Sequence, residues 1–259
     1  MKILHIRYLI ILMLAHFALI NGQGQVTYNI HDENRPQPKV VMPSSFSSMA
    51  EPPSDAIVLF GGRDLSEWVS SSNNKAKWLV QDNYFEVRKK TGKISTVREF
   101  GDVQIHLEWA TPKTIEGKGQ GRGNSGIFFM SKSGVSHGYE VQVLDSYNNA
   151  TYPDGQASAI YGQYPPAVNA SAEPGVWQTY DIIFLRPRFD NSGKLEKPAY
   201  LTVLHNGVLV HSNREVLGPT THKVRTNYSA HPDRLPIALQ DHGNPVRYRN
   251  IWVRDLENH

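Results

Sequence analysis

Glu140 and Gln142 alternate with Tyr139, Val141 and Val143 in the segment Gly138-Tyr-Glu-Val-Gln-Val-Leu-Asp145. In an extended chain that spacing sets two long polar groups about 7 Å apart on one face. A carboxylate beside an amide can move a proton and hold a hydroxyl, and Tyr139 and Tyr147 stand near enough in sequence to stack on a sugar ring. Two other segments carry the same kind of polar face: Gln104, His106 and Glu108 alternate with Val103, Ile105, Leu107 and Trp109, and Gln240 alternates with His242. His242 is suited to act as a general base or a ligand. Arg247 and Arg249, a few residues on, are fixed positive charges able to stabilise an oxyanion. The plainer reading of any one such strand is a sheet face in water, and of the arginines, surface ion pairs.

Other chemistry finds little support. Gly117, Gly119, Gly121 and Gly123 precede Asn124-Ser-Gly126 without the strand–loop–helix context of a phosphate loop, and Ser125 has no nucleophile elbow. His137, His205, His211, His222 and His231 show no helical metal spacing. The chain has no cysteine, which excludes a disulfide scaffold, a thiolate metal site, a cysteine nucleophile and a lipid anchor on cysteine. Its 27 basic and 24 acidic side chains are spread along 259 residues, so no stripe suited to nucleic acid is expected.

Strands must position these groups. Period-two runs at 103–109 and 139–143, further runs at 84–88, 125–130, 177–185, 237–242 and 246–253, and the hairpin 200–211 turning on Asn206-Gly207 dominate the chain. No amphipathic helix of comparable length competes, which predicts an all-β, two-sheet antiparallel β-sandwich of the jelly-roll kind. Lys2 and Arg7 flank a thirteen-residue apolar run, Tyr8 to Ile20, shorter than the roughly 20 residues of a membrane span. Residues 1–24 therefore read as a cleaved secretory signal, predicting a periplasmic or secreted protein with no stable membrane span. Removing them lowers the formal charge from +3 to +1. Residues 25–54, rich in Pro and Ser, read as a linker or an arm lying on the domain, and the domain spans 55–257.

Taken in order, Leu59-Phe-Gly-Gly-Arg-Asp-Leu-Ser-Glu-Trp68, Asn124-Ser-Gly-Ile127, Gly138 through Asp145, Pro174-Gly-Val-Trp177, His205-Asn-Gly207 and Leu239-Gln-Asp-His-Gly243 through Arg247-Tyr-Arg-Asn-Ile-Trp252 resemble the successive signatures of the 3-keto-disaccharide hydrolase domain. The resemblance implies a concanavalin A-like jelly roll and cleavage of 3-keto-glycosides. A ketone at C3 acidifies the C2 hydrogen, so a base removes it, the C1 group is eliminated, and water adds. Joined to these residues, His242 or Glu140 is the base, Arg247 or Arg249 stabilises the oxyanion, Glu108 and Asp145 are second choices for proton transfer, and Asn124, Gln142 and Gln240 orient hydroxyls. No cofactor is required, although a divalent metal held by His242 and carboxylates would serve as electrophile. The chain departs from the family pattern at Gly61-Gly62-Arg63, at Glu67 and in a longer loop over 113–123 that bears on substrate size. Two competing readings remain: a two-carboxylate glycosidase pairing Glu140 with Glu108 or Asp145, and a lectin-like module without chemistry.

Overall fold

The computed structural model describes residues 28–44 and 51–257, so the expected signal segment and parts of the Pro/Ser-rich stretch lie outside the described residues. The first strands are β1 (Lys39–Val40), β2 (Ile57–Phe60), β3 (Trp68–Ser70), β4 (Leu79–Gln81), β5 (Tyr84–Glu86) and β6 (Ile94–Phe100). The middle of the chain gives β7 (Val103–Ala110), β8 (Ser125–Phe129), β9 (Tyr139–Val143), β10 (Val168–Asn169), β11 (Gln178–Leu185), β12 (Arg188–Phe189) and β13 (Leu195–Lys197). The last are β14 (Tyr200–His205), β15 (Val208–Glu215), β16 (Leu235–Leu239) and β17 (Arg247–Asp255).

Two large antiparallel sheets face each other. One runs β15-β14-β11-β7-β17-β5-β4 with β2 also on β17; the other runs β3-β6-β16-β8-β9. Alternation fills the space between them. Ile105, Leu107, Trp109, Tyr180, Ile182 and Phe184 point inward from the first sheet, and Ile127, Phe129, Tyr139, Val141, Ile237 and Leu239 from the second. Phe184 stacks across the gap on Phe129, with ring centroids 4.7 Å apart, and Tyr180 donates its hydroxyl to the Gln142 carbonyl at 2.9 Å. Each such side chain contributes roughly 1.5–3 kcal/mol by leaving water, and a two-sheet core of this kind replaces the disulfides the chain lacks. The expected β-sandwich is the observed one. The β14–β15 hairpin turns on Asn206 and Gly207, both at positive φ, as a tight primed turn demands.

One element differs from the expectation. The run 237–242 is a strand only over Leu235–Leu239, because the Asp241 carboxylate accepts the backbone N–H groups of Thr91, Gly92 and Gly243 at 2.9–3.0 Å and turns the chain into a loop. Gln240 and His242 are therefore loop residues beyond the strand end. Where it is described, the stretch before the domain lies on the sandwich as an arm, with β1 pairing in parallel to β10.

Candidate active site

A cavity of about 550 Å³ opens over the outer face of the β3-β6-β16-β8-β9 sheet. Its floor comes from β8 and β9, whose inward residues build the core while Phe128, Glu140 and Gln142 point the other way. Gly126 leaves room for the carboxylate there: a Cβ at that position would displace Glu140 Oε1. The register β16–β8–β9 then brings the loop after β16 alongside, so that Gln240, whose N–H bonds the Gly126 carbonyl at 3.0 Å, and His242 reach the same space. Asn124 enters from the start of β8, its backbone N–H held by Asn244 Oδ1 at 3.0 Å and its amide by the Gln120 carbonyl at 2.7 Å.

The segment 158–161 covers the free edge of β9. The Ser158 N–H donates to the Gln142 carbonyl at 2.8 Å, the Gln142 N–H to the Ala159 carbonyl at 3.0 Å, and the Tyr161 N–H to the Glu140 carbonyl at 3.2 Å. This places Tyr161 beside Glu140, and Tyr152 follows, its hydroxyl 3.0 Å from that of Tyr161. Tyr161 Oη is also 3.1 Å from Nδ1 of His222, which stands exposed at the rim. The Glu140 backbone N–H bonds Thr220 Oγ1 at 2.9 Å, tying the 218–222 loop to the floor. Lys93 completes the lining, its ammonium bonding Ser131 Oγ at 3.0 Å, with burial lowering its pKa.

Electrostatics single out Glu140. Its side chain is 5% exposed and burial pushes its pKa up to about 8. It is the one carboxylate among the cavity-lining residues. Its neighbours there are amides, hydroxyls, imidazoles and Lys93, and the buried Gln240 Oε1 has no hydrogen-bond partner among the described residues, leaving an acceptor for a ligand hydroxyl.

The structure thus gathers Glu140, Gln142, Asn124, Gln240 and His242 into one cavity and places the other expected site residues elsewhere. Tyr139 does not stack on a ligand: period two turns it into the core, fully buried against Phe184 and bonded to His231 at 3.0 Å. Glu108 and Arg249 lie on the outer face of the opposite sheet, paired at 2.7 Å, with Asn250 on the second Glu108 oxygen at 3.0 Å and the Arg249 guanidinium 4.1 Å from the Trp177 ring centroid. Asp145 is locked to Arg122 at 2.6 Å and, with Arg247, lines a separate cavity of about 350 Å³. Arg247 rests between Tyr84 and Trp177. Tyr147 points away, its hydroxyl 3.2 Å from Glu173. No group of three or more His, Asp or Glu side chains is placed to hold a metal among the described residues.

Residues not singled out from the sequence supply the walls: Lys93, Gln120, Tyr152, Tyr161, Thr220 and His222. The long 113–123 loop does border the site through Gln120, whose amide donates to Thr151 Oγ1 and the Gly155 carbonyl at 2.8–2.9 Å. Behind Tyr152 stands a residue of the N-terminal arm. The His31 ring lies 3.9 Å from that of Tyr152 and 5.1 Å from that of Tyr161, and its Nδ1 is 3.2 Å from Asp154 Oδ1.

Over residues 55–254 the chain matches the 3-keto-alpha-glucoside-1,2-lyase-like domain. It is 23% identical over 288 aligned positions to the 3-keto-disaccharide hydrolase of Bacteroides thetaiotaomicron, with 94% of this chain and 96% of that one covered. The crystal structure of a candidate glycosyl hydrolase from Parabacteroides distasonis is similar at 40% identity and a TM-score of 0.74, over 94% of this chain and 100% of that one. A second from the same organism shares the fold, at 19% identity and a TM-score of 0.57 over 78% of this chain and 94% of that one. With an open cavity lined by amides, hydroxyls, imidazoles, Lys93 and one carboxylate on a two-sheet β-sandwich, the chain is a carbohydrate-active enzyme of the glycoside hydrolase kind, and it belongs to the family of 3-keto-alpha-glucoside-1,2-lyase-like domains.

Proposed function

We propose that the enzyme cleaves 3-keto-glycosides by removing the C2 proton, expelling the C1 substituent and adding water to the resulting double bond. The observation that carries this reading is the solitary carboxylate. A two-carboxylate glycosidase needs an acid and a second carboxyl about 5–9.5 Å apart across the bond, whereas the cavity holds Glu140 alone, and Glu108 and Asp145 are committed to arginines outside it. A C2 hydrogen made acidic by the neighbouring ketone needs only one base. Glu140 is that base: desolvation raises its proton affinity toward the working pH, which is how a carboxylate becomes effective at a carbon acid. Lys93 replaces the arginines as the cation facing the enediolate oxygen. Asn124, Gln240, Gln142 and His242 hold the sugar hydroxyls, with Gln240 Oε1 open to accept one. The residues supply this chemistry without a metal, and an exported location rests on the basic-flanked apolar run of residues 8–20.

The test is to offer the enzyme nitrophenyl glucoside and its 3-keto derivative, with and without chelator. Release from the keto substrate alone, unchanged by chelator, is expected. Equal release from the plain glucoside overturns the reading, and binding of either sugar without release returns the chain to a lectin-like role.

A further inference from the structure

Tyr161 is the one cavity hydroxyl joined to two further protic groups in a row. Its Oη lies 3.0 Å from the Tyr152 hydroxyl and 3.1 Å from His222 Nδ1. His222 is at the exposed rim, so the row runs from inside the cavity to solvent. Tyr161, at the middle of the row, is beside the base, because its backbone N–H is bonded to the Glu140 carbonyl. The row is also held still. His31 packs against all three rings, with centroid separations of 3.9, 5.1 and 5.4 Å to Tyr152, Tyr161 and His222, and is itself fixed by Asp154, whose carboxylate takes both the His31 backbone N–H at 3.0 Å and Nδ1 at 3.2 Å. Elimination leaves a need that Glu140 cannot meet while it takes the C2 proton: an alkoxide expelled from C1 must be protonated as it departs.

Resting on the elimination reading above, we propose that Tyr161 is the general acid of the reaction, donating its hydroxyl proton to the departing C1 oxygen and regaining one through His222. The step balances. As Glu140 takes the proton, the C2–H electron pair forms the C2=C3 bond of the enediolate and the carbonyl pair moves onto the C3 oxygen; the C3=O bond then re-forms, the C2=C3 pair becomes the C1=C2 bond, the C1–O pair leaves with the oxygen, and that oxygen receives the Tyr161 proton. His222 passes its Nδ1 proton to Tyr161 Oη and takes one from water at Nε2. Burial and the neighbouring phenol raise the Tyr161 pKa, which keeps the hydroxyl protonated and matches it to a sugar alkoxide rather than to an acidic phenol.

Dependence on the leaving group tests this. Nitrophenolate departs without a proton; methanol or a second sugar does not. Tyr161→Phe is expected to retain cleavage of nitrophenyl 3-keto-glucoside within about threefold and to lose about 10²–10⁴-fold on the methyl 3-keto-glucoside, the range of general acid catalysis. His222→Gln is expected to show the same selectivity with a smaller loss, and retained nitrophenyl cleavage certifies the fold of each variant. Equal losses on both substrates, or no loss on the methyl glycoside, overturn the assignment. If the wild-type enzyme cleaves neither keto substrate, the elimination reading fails first and the acid falls with it.

Discussion

Glu140 concentrates the residue-scale argument, because burial makes it both a good base and a liability. With its carboxyl pKa near 8 against an ordinary 4.5, the folded chain keeps a proton between those pH values that the unfolded chain has released, so stability falls as pH rises through that window. The loss is on the order of 3–5 kcal/mol once pH exceeds 8. Glu140→Gln preserves shape and removes the charge. It is expected to lower kcat on a 3-keto-glucoside by about 10²–10⁴-fold while melting several degrees above wild type at pH 8.5 and close to it at pH 5. Thermal melts at the two pH values, read beside the kinetics, check both halves. A variant that keeps its rate would move the base to His242.

At the scale of elements, β9 does two jobs with one alternation. Tyr139, Val141 and Val143 close the core while Glu140 and Gln142 form the cavity floor. Its edge is covered by 158–161, so the position of the tyrosines depends on that segment and on what braces it. The brace is the arm, which lies before the family-matched residues yet is fastened by side chains as well as by β1: His31 on Asp154, Arg35 on the Gln163 carbonyl at 3.3 Å, and Gln37 on both the Thr151 carbonyl and Gln156. His31→Ala removes a ring stacked on Tyr152 but touches no group of the cavity floor. The expected outcome is a KM raised several-fold, with kcat on nitrophenyl 3-keto-glucoside within about twofold and a global melting point lowered by only a few degrees. A fall in kcat on that substrate with KM unchanged would mean that the arm does more than hold the wall.

For the molecule as a whole, four buried titratable side chains set the pH range of stability. Burial holds His205 down at about 3 and His211 at about 4, so at these two positions the unfolded chain binds two more protons than the folded one between about pH 4 and 6.5. His106 is the reverse case: burial opposes its charge, but the hydrogen bond to Asp181 and the Glu108 carboxylate 4.0 Å away outweigh that and raise it to about 9. Between pH 4.5 and 6.5 the two depressed histidines outweigh Glu140 and stability climbs with pH. Between 6.5 and 8 Glu140 and His106 both hold extra protons in the folded state, and stability declines. A maximum near pH 6.5 is therefore expected in denaturant titrations across pH 4 to 9, and His106→Gln should flatten the alkaline side. A maximum above pH 8 would contradict these assignments.

Sequence alone determined the sandwich and half of the cavity. Period two in 103–109 and 139–143 states which side chains enter the core, since a strand face can be buried only if every second residue is apolar, and Asn206-Gly207 fixes a turn by its own backbone preference. The same alternation misdirected Tyr139, which lies on the apolar side of its own strand. What sequence could not decide is which outward faces share a space. Glu108 and Glu140 both sit on polar faces, but those faces belong to opposite sheets, turned away from each other across the core. Strand order β16-β8-β9 is a matter of long-range pairing, and it alone brings Gln240 and His242 to Glu140 while β7–β17 pairing carries Arg249 to Glu108. Lys93, Tyr152, Tyr161 and His222 come from loops with no periodicity to betray them, and the contact of His31 with Tyr152 joins residues more than a hundred positions apart. Local spacing fixes which way a side chain faces; only the packed chain fixes what it faces.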